Sequence, residues 1–158
     1  MTSLRRLTDR DLPRLRQFWK EHWGDEFIVA NGAVYHPDRL EGFIACEKNE
    51  WVGEITYSVS GDDCEIVSLD SLRERQGIGT KLIEMVIAEA RKQKCRRLFL
   101  VTTNDNLNAI GFYQKRGFEL ALIRRWAVNK SRKIKPSIPL TGANGIPIRD
   151  EIELEMML

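Results

Sequence analysis

The 158-residue chain is 42% apolar and 30% charged, with a formal net charge of +2, the balance of one ordinary globular domain spanning residues 1–158. So small a net charge gives no reason to expect a nucleic-acid or membrane-surface protein, and no run approaches the ~20 apolar residues a membrane helix needs. Cys46, Cys64 and Cys95 show no C-x-x-C spacing, His22 and His36 stand apart and the N-terminus lacks a signal-peptide pattern, so the expectation is a cytoplasmic protein without disulfides or a metal site.

In chain order, Ser3–Leu7 predicts a short first strand. Thr8 or Asp9 caps a helix with Pro13 near its first turn and Leu12, Leu15, Phe18 and Trp19 at helical spacing. Glu21–Arg39 shows no clear period. Phe43–Glu47 and Trp51–Val59 predict a hairpin around Lys48-Asn49-Glu50, and Ser60–Asp63 predicts the next turn. Cys64–Asp70 predicts a strand that runs into Arg75-Gln76-Gly77-Ile78-Gly79-Thr80-Lys81. The helix that follows is strongly patterned: Ile78, Leu82, Val86 and Ala90 recur every fourth residue, with Ile83 and Ile87 beside them. Arg97–Val101 predicts a strand, Asn106–Lys115 a helix closed at Gly117, and Phe118–Val128 another strand. Asn129–Arg149, with Pro136, Pro139 and Pro147, reads as a long connection of the kind that serves a site or stays mobile. Ile152, Leu154 and Met156 alternate with glutamates in a last half-buried strand.

The glycine turn carries the first chemical signal. Gly77 and Gly79 let the backbone curl tightly and approach a ligand, and the unpaired N–H groups of a helix start favour an anion such as a pyrophosphate. The order Thr80-Lys81 is wrong for Walker A. Leu82 stands where a dinucleotide fingerprint needs a small residue. The second signal is Asn106-Leu107-Asn108-Ala109-Ile110-Gly111-Phe112-Tyr113-Gln114-Lys115-Arg116-Gly117-Phe118. With the G-x-G helix start upstream, this resembles the GNAT superfamily of acetyl-CoA-dependent N-acetyltransferases, over about Glu65 to Leu120. Asn106, Ala109, Phe112, Tyr113, Gly117 and Phe118 fall in the family register. One position departs: the usual Arg or Gln three residues before Gly77 is Glu74, flanked by Arg73 and Arg75.

The resemblance implies an α/β (α+β) single-domain fold, with a mixed twisted sheet, splayed central strands and flanking helices. It implies acetyl-CoA as co-substrate, its phosphates on Arg75, Gln76, Gly77, Ile78, Gly79, Thr80 and Lys81. Its pantetheine arm would lie along Val67, Ser68 and Leu69 and against Asn106, which also suits a helix cap. The Leu69 N–H is then a candidate oxyanion donor, and Tyr113 the candidate acid for the departing thiolate, since a phenol can donate to sulfur. Glu65 shares a strand face with Val67 and Leu69 and is the candidate base, with Asp63 and Glu54 as alternatives. The amine acceptor is expected between the first helix and the Asn129–Arg149 connection. Trp19, Trp23, Phe27, Tyr35 and Trp126 are candidate walls, and Glu21, Asp25 and Glu26 candidate attractors of a cationic amine. A non-catalytic acyl-CoA-binding or sensor module on the same fold is the alternative, and the sequence leaves a homodimer open.

Overall fold

The computed structural model describes residues 1–73, 76–142 and 144–158. In chain order the elements are β1 (Ser3–Arg6), α1 (Leu12–Trp23), β2 (Ile28–Ala30), β3 (Ala33–Tyr35), β4 (Glu41–Glu47), β5 (Glu50–Ser60) and β6 (Asp63–Ser71). They continue with α2 (Ile78–Lys92), β7 (Arg97–Thr103), α3 (Leu107–Lys115), β8 (Glu119–Arg124), α4 (Ala127–Ile134) and β9 (Glu151–Met157). Among the described residues, β1-β4-β5-β6-β7-β9-β8 form one mixed sheet in that order, and β2-β3 a separate hairpin. The pair β6–β7 is parallel; its neighbours are antiparallel.

Alternation along the strands divides the interior into two apolar layers. On one face Phe43, Ile55, Tyr57, Ile66, Leu98 and Leu154 meet the row Ile78, Leu82, Val86 and Ala90 of α2. That row follows the fourfold spacing in the sequence, and each large aliphatic side chain buried in it contributes about 1.5–3 kcal/mol. On the other face Leu15, Phe18 and Trp19 of α1 pack on Ile44 and Trp51, with Ile28 of the hairpin beside them. Gly53 of β5 lets α2 approach the sheet: a Cβ there would stand 2.9 Å from both the Asp70 carbonyl oxygen and the Ile78 Cγ2.

Two irregularities shape the centre of the sheet. Thr56 pairs with Ser68 and Tyr57 with Ile66, so Val67 is an extra residue bulged out of β6. The parallel β6–β7 pairing runs from Asp63–Arg97 to Ile66–Leu100 and stops at that point. Both strands continue, β6 to Ser71 and β7 to Thr103, but they part. The splayed central strands expected from the resemblance are therefore present.

Three segments differ from their sequence expectations. The unpatterned Glu21–Arg39 stretch contains the β2–β3 hairpin, closed by Asn31 and Gly32 with φ of +51° and +74°. An Asn-Gly turn between apolar residues is a hairpin signal, here masked by strands of only three residues. The expected strand Phe118–Val128 ends at Arg124. Trp126 takes φ +64°, its N–H donates to Asp150 Oδ1 at 2.9 Å and Arg149 stacks over its ring, so a tertiary contact breaks the strand. The Asn129–Arg149 connection is in part helix, because α4 runs to Ile134. Beyond it Arg132 ties the chain down through the carbonyls of Pro139 and Ile148 at 2.8 and 2.5 Å.

Gly53→Ala is expected to lower the unfolding free energy by about 1–3 kcal/mol, because the added methyl must push α2 or β6 away. Urea denaturation checks this; an unchanged midpoint would mean that the helix does not dock against this glycine.

Candidate active site

The parting of β6 and β7 leaves the backbone of Val67–Ser71 with β5 on one side and, among the described residues, no paired strand on the other. A cleft of about 780 Å³ opens there on the α2–α3 side. Its walls are Leu69, Asp70 and Ser71 of β6, Gly77, Ile78, Gly79 and Thr80 at the start of α2, and Asn106, Ala109, Phe112, Tyr113 and Arg116 around α3. Gly77 caps α2 with φ +71°, and the first helical hydrogen bond runs from Lys81 N–H to Gly77 O at 3.0 Å. The N–H groups of Ile78, Gly79 and Thr80 therefore precede the ladder at the positive end of the helix dipole. Gly79 makes room for the Phe112 ring, whose Cζ would lie 3.1 Å from an added Cβ.

Of the sequence candidates, Leu69, Gly77, Ile78, Gly79, Thr80, Asn106 and Tyr113 converge on this cleft. Gln76 and Lys81 flank it, Val67 is the bulge above it, and Arg75 and the departing Glu74 lie outside the described residues. Ser68 turns to the opposite face, where its hydroxyl meets Thr56 and donates to Glu54. Asn106 caps its own helix, accepting from the Ala109 N–H at 3.3 Å, and donates to Thr102 Oγ1 at 3.2 Å. Arg116 received no role from the sequence, yet it supplies a fixed cation: it donates to Thr80 Oγ1 and to the Phe112 carbonyl, each at 2.8 Å, and stacks over the Phe112 ring.

Tyr113 is buried at the floor of the cleft, edge-on to Phe112 and Phe118. Burial, helped by the carboxyls of Asp70 and Glu54, raises its pKa, so the phenol keeps its proton at neutral pH. Those two carboxyls are direct cross-strand partners in β5 and β6. Glu54 is wholly buried; one oxygen accepts from Ser68 at 2.9 Å and the other has no hydrogen-bond partner. Burial first, then the adjacent Asp70, raises the Glu54 pKa well above the ordinary carboxylate range. Asp70 lines the cleft and accepts from Trp23 Nε1–H at 2.8 Å. Glu65 lies in the paired part of β6, buried, and accepts a hydrogen bond from the Tyr35 hydroxyl. Burial raises its pKa while the Tyr35 contact opposes the rise.

A second cleft of about 560 Å³ opens on the α1 side. The end of α1 (His22, Trp23), the hairpin (Ile28, Val29), the ends of β7 and β9 (Thr103, Glu151) and the segment from α4 to Ile148 enclose it. The Asn129–Arg149 connection supplies Ser131, Lys135, Ser137, Ile138, Pro139 and Ile148 to this cleft and, among the described residues, no side chain to the first. Of the five aromatic candidates only Trp23 reaches the wall. Trp19 is fully buried, Tyr35 is turned to Glu65, Phe27 lies under Lys135 and Trp126 is exposed beside Arg149. Glu21, Asp25 and Glu26 are not on the wall; Glu151 and Asp105 are the carboxylates there. Trp23 belongs to the second cleft and Asp70 to the first, so their hydrogen bond spans the parting.

A sheet split at its parallel pair, a glycine-started helix on one side of the split and a second cleft on the other define the GNAT-type fold, single-domain with a mixed sheet and flanking helices. Residues 2–118 match the model of the acetyltransferase (GNAT) family, and the chain belongs to that superfamily. It is similar to two Bacillus subtilis (strain 168) proteins: YdhI, 48% identical over 139 residues, and YxbD, 45% identical over 138, each alignment covering 87% of both chains. The crystal structure of a GNAT family acetyltransferase from Elizabethkingia anophelis with acetyl-CoA bound superposes with a TM-score of 0.72. That superposition covers 99% of this chain and 98% of that one at 24% identity, a likeness of fold.

The raised Glu54 pKa has a stability consequence of definite sign. The unfolded carboxyl ionises near ~4.3 and the folded one stays protonated above that, so the folded state holds the extra proton. Stability from this group is complete below the unfolded value and is lost as pH rises toward the folded value. Glu54→Gln keeps an acceptor for Ser68 and offers Asp70 an N–H. Its melting temperature is expected to gain on that of the wild type between pH 5 and pH 8, and a pH-independent difference would mean that Glu54 is ionised in the fold.

Proposed function

We propose that the protein transfers the acetyl group of acetyl-CoA directly to a primary amine of its acceptor within a ternary complex. The observation that carries this reading is the pair of clefts at the parted strands, one with Tyr113 in its wall, linked through the Asp70–Trp23 hydrogen bond.

On this reading the pyrophosphate sits on the N–H groups of Ile78, Gly79 and Thr80, with Gly77, Gln76 and Lys81 around it and Arg116 adding positive charge; the sequence candidate Arg75 lies outside the described residues. The pantetheine arm adds to the free edge of β6 at Val67–Leu69 and passes Asn106. The Leu69 N–H stabilises the developing oxyanion. Before attack, the acceptor ammonium must lose a proton. The sequence offers Glu65 for this, but Glu65 is on neither cleft wall, whereas Asp70 lines the first cleft, its carboxylate hydrogen-bonded to Trp23 of the second and its cross-strand partner being Glu54. Asp70 is the better placed base. When the C–S bond breaks, the thiolate takes the Tyr113 proton, and the phenolate recovers one from the nitrogen as the amide forms.

Gly79→Val must displace the Phe112 ring and narrow the phosphate cradle, and is expected to weaken acetyl-CoA binding by at least about tenfold in a folded protein, as read by calorimetry. Unchanged affinity would move the pyrophosphate elsewhere.

Tyr113→Phe is expected to lower kcat by roughly 10²–10⁴ while leaving acetyl-CoA affinity within a few-fold. Wild-type turnover would make Tyr113 a packing residue. In the same assay Asp70→Asn should abolish the acid limb of the kcat/KM profile and Glu65→Gln should retain it; the reverse pattern returns the base to Glu65.

A further inference from the structure

Beyond the reaction centre, the second cleft contains an unusual pairing of charges. Glu151 is 4% exposed and sits on the wall; one of its oxygens accepts the Asn31 N–H at 2.9 Å, and among the described residues no cation pairs with it. Lys135 is 7% exposed and lines the same cavity. Its ammonium donates to the carbonyls of Trp23 and Phe27 at 3.0 and 3.1 Å and lies over the Phe27 ring; Asp25 acts on it from a distance, and among the described residues no carboxylate is within ion-pair reach of it. A buried ion without a counter-ion costs several kcal/mol. Here a buried carboxyl group, with Arg124 as its cross-strand neighbour, and a buried ammonium line one cavity without pairing with each other.

We propose that the acceptor is an amine that also carries a carboxylate, an amino-acid-sized zwitterion with its ammonium against Glu151 and its carboxylate against Lys135. This rests on the acetyltransferase reading above and names the class of its acceptor. A simple amine satisfies Glu151 and leaves Lys135 unmatched. A polyamine adds repulsion at Lys135. A zwitterion matches both ends. The polarity fits the fold: Glu151 pairs in register with Thr103 at the end of β7, the strand that borders the parting, whereas Lys135 lies just past the end of α4. The ammonium is therefore assigned to the Glu151 end. Asp105, which accepts from Thr103 Oγ1 at 2.5 Å, adds negative charge to that end. Ile28, Val29, Ile138 and Ile148 supply apolar wall for a side chain, and about 560 Å³ is the scale of a small-molecule site.

The test is an initial-rate assay of CoA-thiol release with the purified protein, acetyl-CoA and matched acceptors. Each common amino acid is compared with its decarboxylated amine, for example arginine with agmatine, ornithine with putrescine and tryptophan with tryptamine. Acetyl-CoA binding is measured in parallel by calorimetry. At least one amino acid should exceed its amine in kcat/KM by about tenfold or more. Glu151→Gln should raise KM for that amino acid by about tenfold, and Lys135→Met should erase the preference over the amine, both with acetyl-CoA affinity unchanged. Because Lys135 also ties down the chain after α1, the glutamate variant and the paired acceptors carry the test if Lys135→Met fails to fold. Amines turned over as well as or better than their amino acids would overturn the proposal. Acetyl-CoA binding with no amino acid turned over would overturn it too. Failure of acetyl-CoA to bind would instead remove the acetyltransferase reading, and this inference with it.

Discussion

The parting of β6 from β7 is the constraint on which the site depends. Four parallel pairs hold the strands together as far as Ile66–Leu100, and the bulge at Val67 then turns β6 away. A bulge bends and twists the strand that carries it, at the cost of one unpaired residue. The split survives because each strand has another partner: β5 on one side of β6, β9 on the other side of β7. Apolar layers brace the sheet, with α2 on one face and α1 on the other. The free backbone edge and the cleft beneath it both follow from that one break.

Around the break the interior becomes polar. Thr56, Ser68, Glu54 and Asp70 are paired residues of β5 and β6, and their side chains form a hydrogen-bonded and charged column under α1. Glu153, by contrast, is compensated: Arg97 and Arg124 both hold it and keep its carboxyl below the ordinary range against the opposing effect of burial. Glu54 lacks that compensation. Its partner is another carboxylate, so it keeps its proton and the pair carries one charge instead of two. Stability alone does not favour such an arrangement, because an apolar pair of similar size would avoid the desolvation. A proton held next to Asp70 and near Tyr113 is useful to a reaction that moves protons on and off nitrogen and sulfur.

The second cleft is assembled from both halves of the chain. Trp23, Ile28 and Val29 come from the first thirty residues and Ser131, Lys135, Ile148 and Glu151 from the last thirty. Two long-range contacts close it: the Lys135 ammonium on the Trp23 and Phe27 carbonyls, and the Glu151 carboxylate on the Asn31 N–H. The charges that face the cavity are therefore also the charges that hold its walls together, so substitutions there need a binding readout as well as a folding one.

How much of this the chain declares on its own depends on the range of the physics involved. The α2 row, the glycine turn, the Asn106 cap and the alternation of β9 were legible because each is set by backbone freedom or by a period of two or four residues. The family motif located Tyr113 and the glycine turn, both on the wall of the first cleft, in the same way, as local strings. The Trp126 break could not be read, because a carboxylate twenty-four residues away stabilises a left-handed conformation there. Nor could the role of Arg116, the pairing of Glu54 with Asp70, or the choice of Glu151 over Glu21, Asp25 and Glu26 as the cleft carboxylate. Those depend on strand register and on which side chains from distant segments arrive at one place. The local pattern of the sequence determined the strongly periodic elements and the glycine turn that opens α2. Only the tertiary structure decided which charges are left uncompensated, because burial and pairing are properties of neighbours in space.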